Sequence, residues 1–276
     1  MPIVAFVIAS TDAGPMLVNR LDVMQTERGY FGIGASLLTT GASPEAAEIA
    51  GVITLLHLCR RHRGDGLVVL DGGANIGTHA LAWAKAMHGP GGNWGRVIAV
   101  EPQERIFYAL CGNIALNNLW NVEAHHAALG ETDAVIMIPE LDHTKPASFG
   151  SLELRPRTDE DIGQSATRER ETELVRIDSL VRFGRVDFIK LDIEGMELDA
   201  LEGAEGVIAR CRPLILAERI KCGEEELRAW LEARDYIVHP IGMNFLAVHR
   251  DDPINAEMTP PPGHEKGPDA EAPGPV

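Results

Sequence analysis

Leu67-Val68-Val69-Leu70 and Val97-Ile98-Ala99-Val100 are two short apolar runs, each ending in an acid, Asp71 and Glu101. Continuous apolar runs of this length are expected of strands buried on both faces, which is the mark of a parallel sheet. Between them, Ile76–Met87 has helical spacing, and Gln103–Asn117 follows with Phe107, Leu110, Cys111 and Ile114 on one face. Further strands are expected at Val122–Ala127, Ala134–Ile138, Val186–Leu191 and Pro213–Ala217, and helices at Met196–Arg210 and Glu224–Ala233. Tyr236–His239 and Phe245–His249 flank Ile241-Gly242-Met243-Asn244 and read as a hairpin that adds an antiparallel strand. The alternation predicts an α/β fold, a Rossmann-like doubly wound sheet with its ligand at the carboxyl ends of the strands.

Residues 1–63 form a β-rich extension plus a helix. Ile3–Ile8 and Met16–Val18 flank the turn Thr11-Asp12-Ala13-Gly14, and Tyr30–Thr39 is read as a third strand. Ser43 as N-cap, Pro44 at the first helical position and Glu45 beside it start a helix carrying Ile49, Val52, Ile53 and Leu56, which Gly64 closes. Residues 64–250 form the main domain. Residues 251–276 hold seven of the 17 prolines and six acids, and read as a disordered acidic tail. A polar island from Pro156 to Thr172 reads as a long surface loop.

The net charge of −16 argues against a nucleic-acid partner, and Arg60-Arg61-His62-Arg63 reads as a charged helix end. Ile3–Ala9 is far too short to cross a bilayer and carries no preceding Lys or Arg, so neither a membrane nor a secretory signal is expected. Cys59, Cys111, Cys211 and Cys222 form no C-x-x-C pair, and reduced thiols in a cytoplasmic protein are the plain reading.

The chemistry concentrates in Leu67–Gly77, where a strand ends in an acid and a glycine turn opens a helix. Gly73 lets a ligand approach the backbone, and Gly77 lets the helix sit close to the sheet. Glu101, 30 residues after Asp71, can accept hydrogen bonds from both hydroxyls of a ribose. The spacing D-x-G-x-x-x-G is not the dinucleotide pattern G-x-G-x-x-G. Asp71 would repel a pyrophosphate but favours a ligand carrying an ammonium and a sulfonium, as S-adenosylmethionine does. A plain tight turn with Glu101 as a helix-capping acid is the bland alternative.

Val69–Gly77, Val97–Pro102, Asn113–Asn117, Ala127–Gly130 and Val186–Glu197, continued by Gly203-Ala204 and Arg212–Glu218, together resemble the FkbM family of methyltransferases. The resemblance covers Leu67 to His249, about two thirds of the chain. It implies a class I fold that uses S-adenosylmethionine to methylate a hydroxyl on a small molecule, sugar or natural product. It also implies cofactor contacts at Asp71, Gly73, Ala74, Asn75, Gly77, Glu101 and Pro102, with Leu129 near the adenine. Gly72 stands where the family commonly has a branched apolar residue, which would loosen the turn.

Lys190-Leu191-Asp192-Ile193-Glu194-Gly195 follows a strand, so Asp192 is expected at the ligand end, with Lys190 on the same side. Lys190, Asp192 and Glu194 are the catalytic candidates, against a purely structural Lys190–Asp192 pair. His79 and His143 are further candidates for a general base, His143 lying in the Leu141–Ser151 stretch where an acceptor pocket would form. His125 and His126 point to opposite faces, and no compact ligand set for a metal is visible. Two other functions fit less of the sequence. One is a nicotinamide-dependent oxidoreductase; the other is a non-catalytic module that keeps the pocket. The expected partner is a small-molecule or glycan acceptor, and the β-rich N-terminus offers either a cap for the sheet or a surface for a second copy.

Overall fold

The computed structural model describes residues 3–26, 29–155, 158–181 and 184–258. Its centre is a seven-stranded sheet in the order Tyr236–Ile241, Asn244–His249, Leu214–Glu218, Phe188–Leu191, Leu67–Gly72, Gly95–Val100, Val122–His125. Only Asn244–His249 runs against its neighbours. The strand order reverses at Leu67–Gly72, which places the switch point of this doubly wound α/β sheet beside the glycine turn.

Period-two alternation divides the apolar residues between two layers. Leu70, Val100, Leu191 and Ala217 pack against Ala200, Val207, Ile208, Leu227 and Leu231 on one face. Val69, Ala99, Phe188 and Leu216 pack against Val52, Leu56, Ala80 and Trp83 on the other. The hairpin Phe6–Thr11 and Gly14–Asn19 turns at Asp12-Ala13 as expected and caps a third cluster with Leu37, Ile106, Phe149 and Leu152.

Several expectations need correction. Tyr30–Thr39 is not a strand: Gly29–Phe31 is a short one, and Ile33–Thr40 is a helix. Buried Asp22 starts that helix, its Oδ2 accepting from Gly34 N–H at 2.9 Å. Met196–Arg210 is two helices, Glu197–Glu202 and Glu205–Cys211, because Gly203 lies against the Gly130 carbonyl, where a Cβ would come within 2.1 Å. Arg168–Val175 is a strand paired antiparallel with Ala134–Glu140, so the polar island ends before Arg168. Its outer face is exposed while Thr172 and Leu174 are buried, which accounts for its polar composition.

The C-terminal stretch also starts later than read. Asp252 pairs with Arg63, Ile254 is fully buried, and Asn255–Met258 is a helical turn. The rest of the expected tail, 259–276, lies outside the described residues. The helix after Ser43 begins at Ala46, with Ser43 Oγ accepting from Glu45 N–H at 3.2 Å. Among the described residues no helix is long and apolar enough to cross a membrane.

Candidate active site at the carboxyl edge of the sheet

A narrow cavity, partly open to solvent, lies over the carboxyl ends of Leu67–Gly72, Gly95–Val100 and Phe188–Leu191. Gly73 and Asn75 form one side, Glu101 and Pro102 the next, Ala128 and Leu129 the third. Asp192, Ile193 and Glu194 close the far wall, and Gly150, Leu152 and Leu154 come over from a distant segment. Seven expected site residues therefore converge: Gly73, Asn75, Glu101, Pro102, Leu129, Asp192 and Glu194.

The glycine turn is shaped by its neighbours. Gly73 has φ +75°, and a Cβ there would lie 1.9 Å from the Asp192 carbonyl oxygen. Gly73 lines the cavity as expected of a residue a ligand approaches, and its lack of a side chain also admits the loop carrying Asp192. Gly77 has φ +95° and admits Leu81 and Leu110, so it serves the packing of two helices and lies off the cavity. Gly72 does not loosen the turn, since Leu129 and Leu191 fill the space a side chain would take. Ala74 is buried in the core and does not line the cavity.

Glu101 is 3% exposed. Its Oε2 accepts from Asn75 N–H at 3.0 Å and its Oε1 from Gln103 N–H at 2.8 Å. Each carboxylate oxygen has two lone pairs, so each retains one acceptor position. Burial pushes the Glu101 carboxyl up to about 7, against the pull of those two N–H groups.

Asp71 and Lys190 do not line the cavity. Asp71 is fully buried and neither oxygen accepts a hydrogen bond; Lys190 Nζ lies 3.7 Å from it and 3.2 Å from Asp192 Oδ2. Lys190 is therefore a buried cation shared by two acids, and its catalytic contact is corrected to an ion pair. Burial raises Asp71; for Asp192 burial is also the largest single influence, but the charge and hydrogen bond of Lys190, joined by the charges of His79 and Lys221, together outweigh it and hold the carboxyl below its usual range. Asp192 retains 31% side-chain exposure at the cavity wall. Glu194 has φ +57° and receives the Lys221 ammonium. Burial pushes its carboxyl up to about 7.

Neither candidate histidine reaches the cavity. His79 turns to the preceding helix, 3.1 Å from Glu48 Oε1 and 3.5 Å from Glu45 Oε2, with its ring edge on Trp83. His143 stacks on Phe149 at 4.4 Å, and burial drives its imidazole down to about 4. His126 binds the Pro102 carbonyl while His125 meets Glu123.

Sequence reasoning missed Gln103, Leu152, Leu154, Met196 and Lys221, whereas Gly150 lies in the Leu141–Ser151 stretch expected to form an acceptor pocket. Gln103 ties the overhead segment down, its Nε2 donating to the Phe149 carbonyl at 2.8 Å. Its place right after Glu101-Pro102 was the available signal. Lys221 had none, because it arrives from the loop after another strand.

The Methyltransferase FkbM domain model matches residues 71–238. The chain belongs to the FkbM methyltransferase family. The matched FkbM region starts at Asp71, so the hairpin and the first two helices precede it. "Methyltransferase 1" of Beauveria bassiana (strain ARSEF 2860) is 26% identical over 153 residues. That match spans 51% of this chain and 59% of the fungal protein's own length. Among solved structures, a methyltransferase FkbM from Methylobacillus flagellatus KT aligns with 20% identity and a TM-score of 0.46, over 67% of this chain and 44% of the other. Pyrococcus abyssi tRNA (uracil-54, C5)-methyltransferase, in complex with S-adenosyl-L-homocysteine, aligns with 14% identity and a TM-score of 0.44, over 88% and 44%.

Proposed function

We propose that this FkbM-family chain is an S-adenosylmethionine-dependent methyltransferase acting on a hydroxyl of a small molecule or glycan in the cytoplasm. The observation that carries the reading is one cavity with a buried, doubly anchored Glu101 at one end and two acids, Asp192 and Glu194, at the other. The residues fit the cofactor. Glu101 keeps two acceptor positions for a ribose, Pro102 and Leu129 offer apolar surface for an adenine, and the excess of carboxylates suits a cationic ligand. When bound, S-adenosylmethionine supplies a methyl group carried on a positively charged sulfur.

The chain's own groups do the rest. The cavity walls align the acceptor, and alignment of two reactants lowers a barrier by up to about 7–11 kcal/mol. An alcohol is a weak nucleophile, so a base that takes its proton adds roughly 10²–10⁴-fold. Glu194 is that base: its carboxyl sits near 7, so both protonation states are populated at neutral pH. Asp192, held charged by Lys190, orients the hydroxyl. With the cofactor held in this cavity, the acceptor oxygen would take the methyl as the S–CH₃ bond breaks, leaving S-adenosylhomocysteine as a neutral thioether, and Glu194 would accept the hydroxyl proton and release it to solvent.

The test is incubation with methyl-labelled cofactor and extracts, followed by mass spectrometry for an acceptor that gains one methylene. Glu194→Gln is expected to lower kcat about 100-fold while leaving S-adenosylhomocysteine affinity intact. A Glu194→Gln enzyme at the wild-type rate contradicts the assignment.

Glu101 gives a separate expectation. In Glu101→Gln the new NH₂ faces a backbone N–H donor and one ribose acceptor is lost, so affinity for S-adenosylhomocysteine falls roughly 10-fold to 100-fold, the worth of one hydrogen bond to a charged group. The charged form of Glu101 is the better acceptor. Wild-type affinity therefore rises about tenfold from pH 6 to pH 8, across the Glu101 titration near 7, and Glu101→Gln flattens that slope. Calorimetric titration at several pH values reads both effects.

A further inference from the structure

Lys221 carries one ammonium among several acids, and none of the sequence motifs includes it. Its side chain is 10% exposed. The ammonium contacts Glu194, lies 2.5 Å from Glu160 Oε2 and 3.9 Å from Glu153 Oε1. Three separate parts of the chain meet here. Glu194 comes from the loop after Phe188–Leu191, Lys221 from the loop after Leu214–Glu218, and Glu153 and Glu160 from the segment that also brings Leu152 and Leu154 over the cavity.

Other acids face the same point. Asp192 is two residues before Glu194, and Glu197 lies one turn on, its Oε1 accepting from Ile193 and Gly195 N–H. Glu218 stands at the end of its strand with a buried Oε2 that accepts no hydrogen bond. Of the acids around Glu194, Asp192 already has Lys190, and Glu153 also binds Thr158 N–H at 3.0 Å. Glu194 has Lys221 as its cation.

We propose that Lys221 is a positioning residue for the transfer step: its ammonium holds the Glu194 carboxylate at the cavity wall and favours the charged form that accepts a proton. The inference rests on the reading of Glu194 as the base. A buried carboxylate with only like-charged neighbours takes up a proton and becomes useless as a base near neutrality. The ammonium counters this, so that the charged form is still populated at neutral pH. Glu160 works against it by competing for the same cation and by adding a like charge, and both effects favour the protonated Glu194. The left-handed backbone at Glu194 aims the side chain toward Lys221, so charge and direction are set together.

The experiment is a pH titration of the glutamate side-chain carboxyls by carbon-13 NMR on the full chain, with no methyl acceptor present. Loss of one resonance in Glu194→Gln assigns it. The wild-type signal is expected to titrate near 7. Lys221→Met is expected to move that midpoint up by about one pH unit or more, and Lys221→Arg to restore it, since removing an opposite charge at contact distance has that size. Glu160→Gln is expected to move it down. Glu160 is partly exposed, so this variant reports even where Lys221→Met does not fold. An unmoved midpoint in Lys221→Met, or an upward shift in Glu160→Gln, overturns the proposal. The titration needs no turnover. A coupled Glu194 with an active Glu194→Gln enzyme would instead defeat the base assignment and leave the Lys221–Glu194 coupling standing.

Discussion

Gly73→Val is expected to give a chain destabilised by about 3 kcal/mol or more that no longer binds S-adenosylhomocysteine measurably. The Cβ alone would sit 1.9 Å from the Asp192 carbonyl oxygen and 2.9 Å from its carbon. Both are backbone atoms, so no rotamer change relieves the contact. The φ of +75° adds a left-handed penalty of roughly 1–2 kcal/mol, and overpacking adds about 1–3 kcal/mol. Relief requires moving the loop that carries Asp192 and Glu194, which separates the two ends of the cavity. Gly72→Ala is the comparison: its Cβ would meet side-chain ends at 2.8 Å (Leu129) and 3.0 Å (Leu191) and the Lys190 carbonyl oxygen only at 3.2 Å, at a backbone angle open to any residue, so a smaller loss is expected. Thermal unfolding and calorimetric titration of both variants check this. A Gly73→Val chain with wild-type affinity would mean that the Asp192 loop does not press on the glycine turn.

Lys190→Met is the second large effect. Removing the cation leaves Asp71, fully buried, and Asp192 facing each other without it. Breaking a buried pair from one side costs about 3–5 kcal/mol, because the remaining charge stays desolvated. The pH dependence has a definite sign. Asp71 already has its carboxyl raised above 3.8 by burial, and loss of Lys190 raises it further. An acid raised in the folded state contributes stability below its unfolded value and loses it as pH rises through the folded one. The Lys190→Met penalty should therefore be small near pH 4 and full at pH 8. Asp71→Leu together with Lys190→Met should recover part of the loss, since an apolar pair needs no counter-charge. Denaturant unfolding at the two pH values reads both. A Lys190→Met penalty independent of pH would mean that Asp71 does not carry the buried charge.

The central sheet was legible because its strands are buried on both faces and so read as short uninterrupted apolar runs, here alternating with helical patterns between turn signals. Features set by distant contacts were not. Ile33–Thr40 reads as a strand until Asp22 is seen at its start, and the break at Gly203 depends on the carbonyl of Gly130. Arg168–Val175 hid in a polar stretch because one of its faces meets water.

The site divides in the same way. Gly73, Glu101, Leu129, Asp192 and Glu194 sit at strand ends, where topology alone points ligands, and all five reach the cavity. Asp71 and Lys190 occupy equally suggestive positions but point into the helix layer, as their pairing register on neighbouring strands requires. Leu152, Leu154 and Lys221 come from loops that sequence spacing does not connect to the site.

The most direct measurement is a crystal structure of the chain with S-adenosylhomocysteine. The ribose hydroxyls are expected on Glu101 and the adenine between Pro102 and Leu129, with the sulfur facing Asp192. An adenosyl group bound elsewhere, or a cavity filled by Leu152 and Leu154 while the ligand stays in solution, would contradict the cofactor site proposed for this cavity.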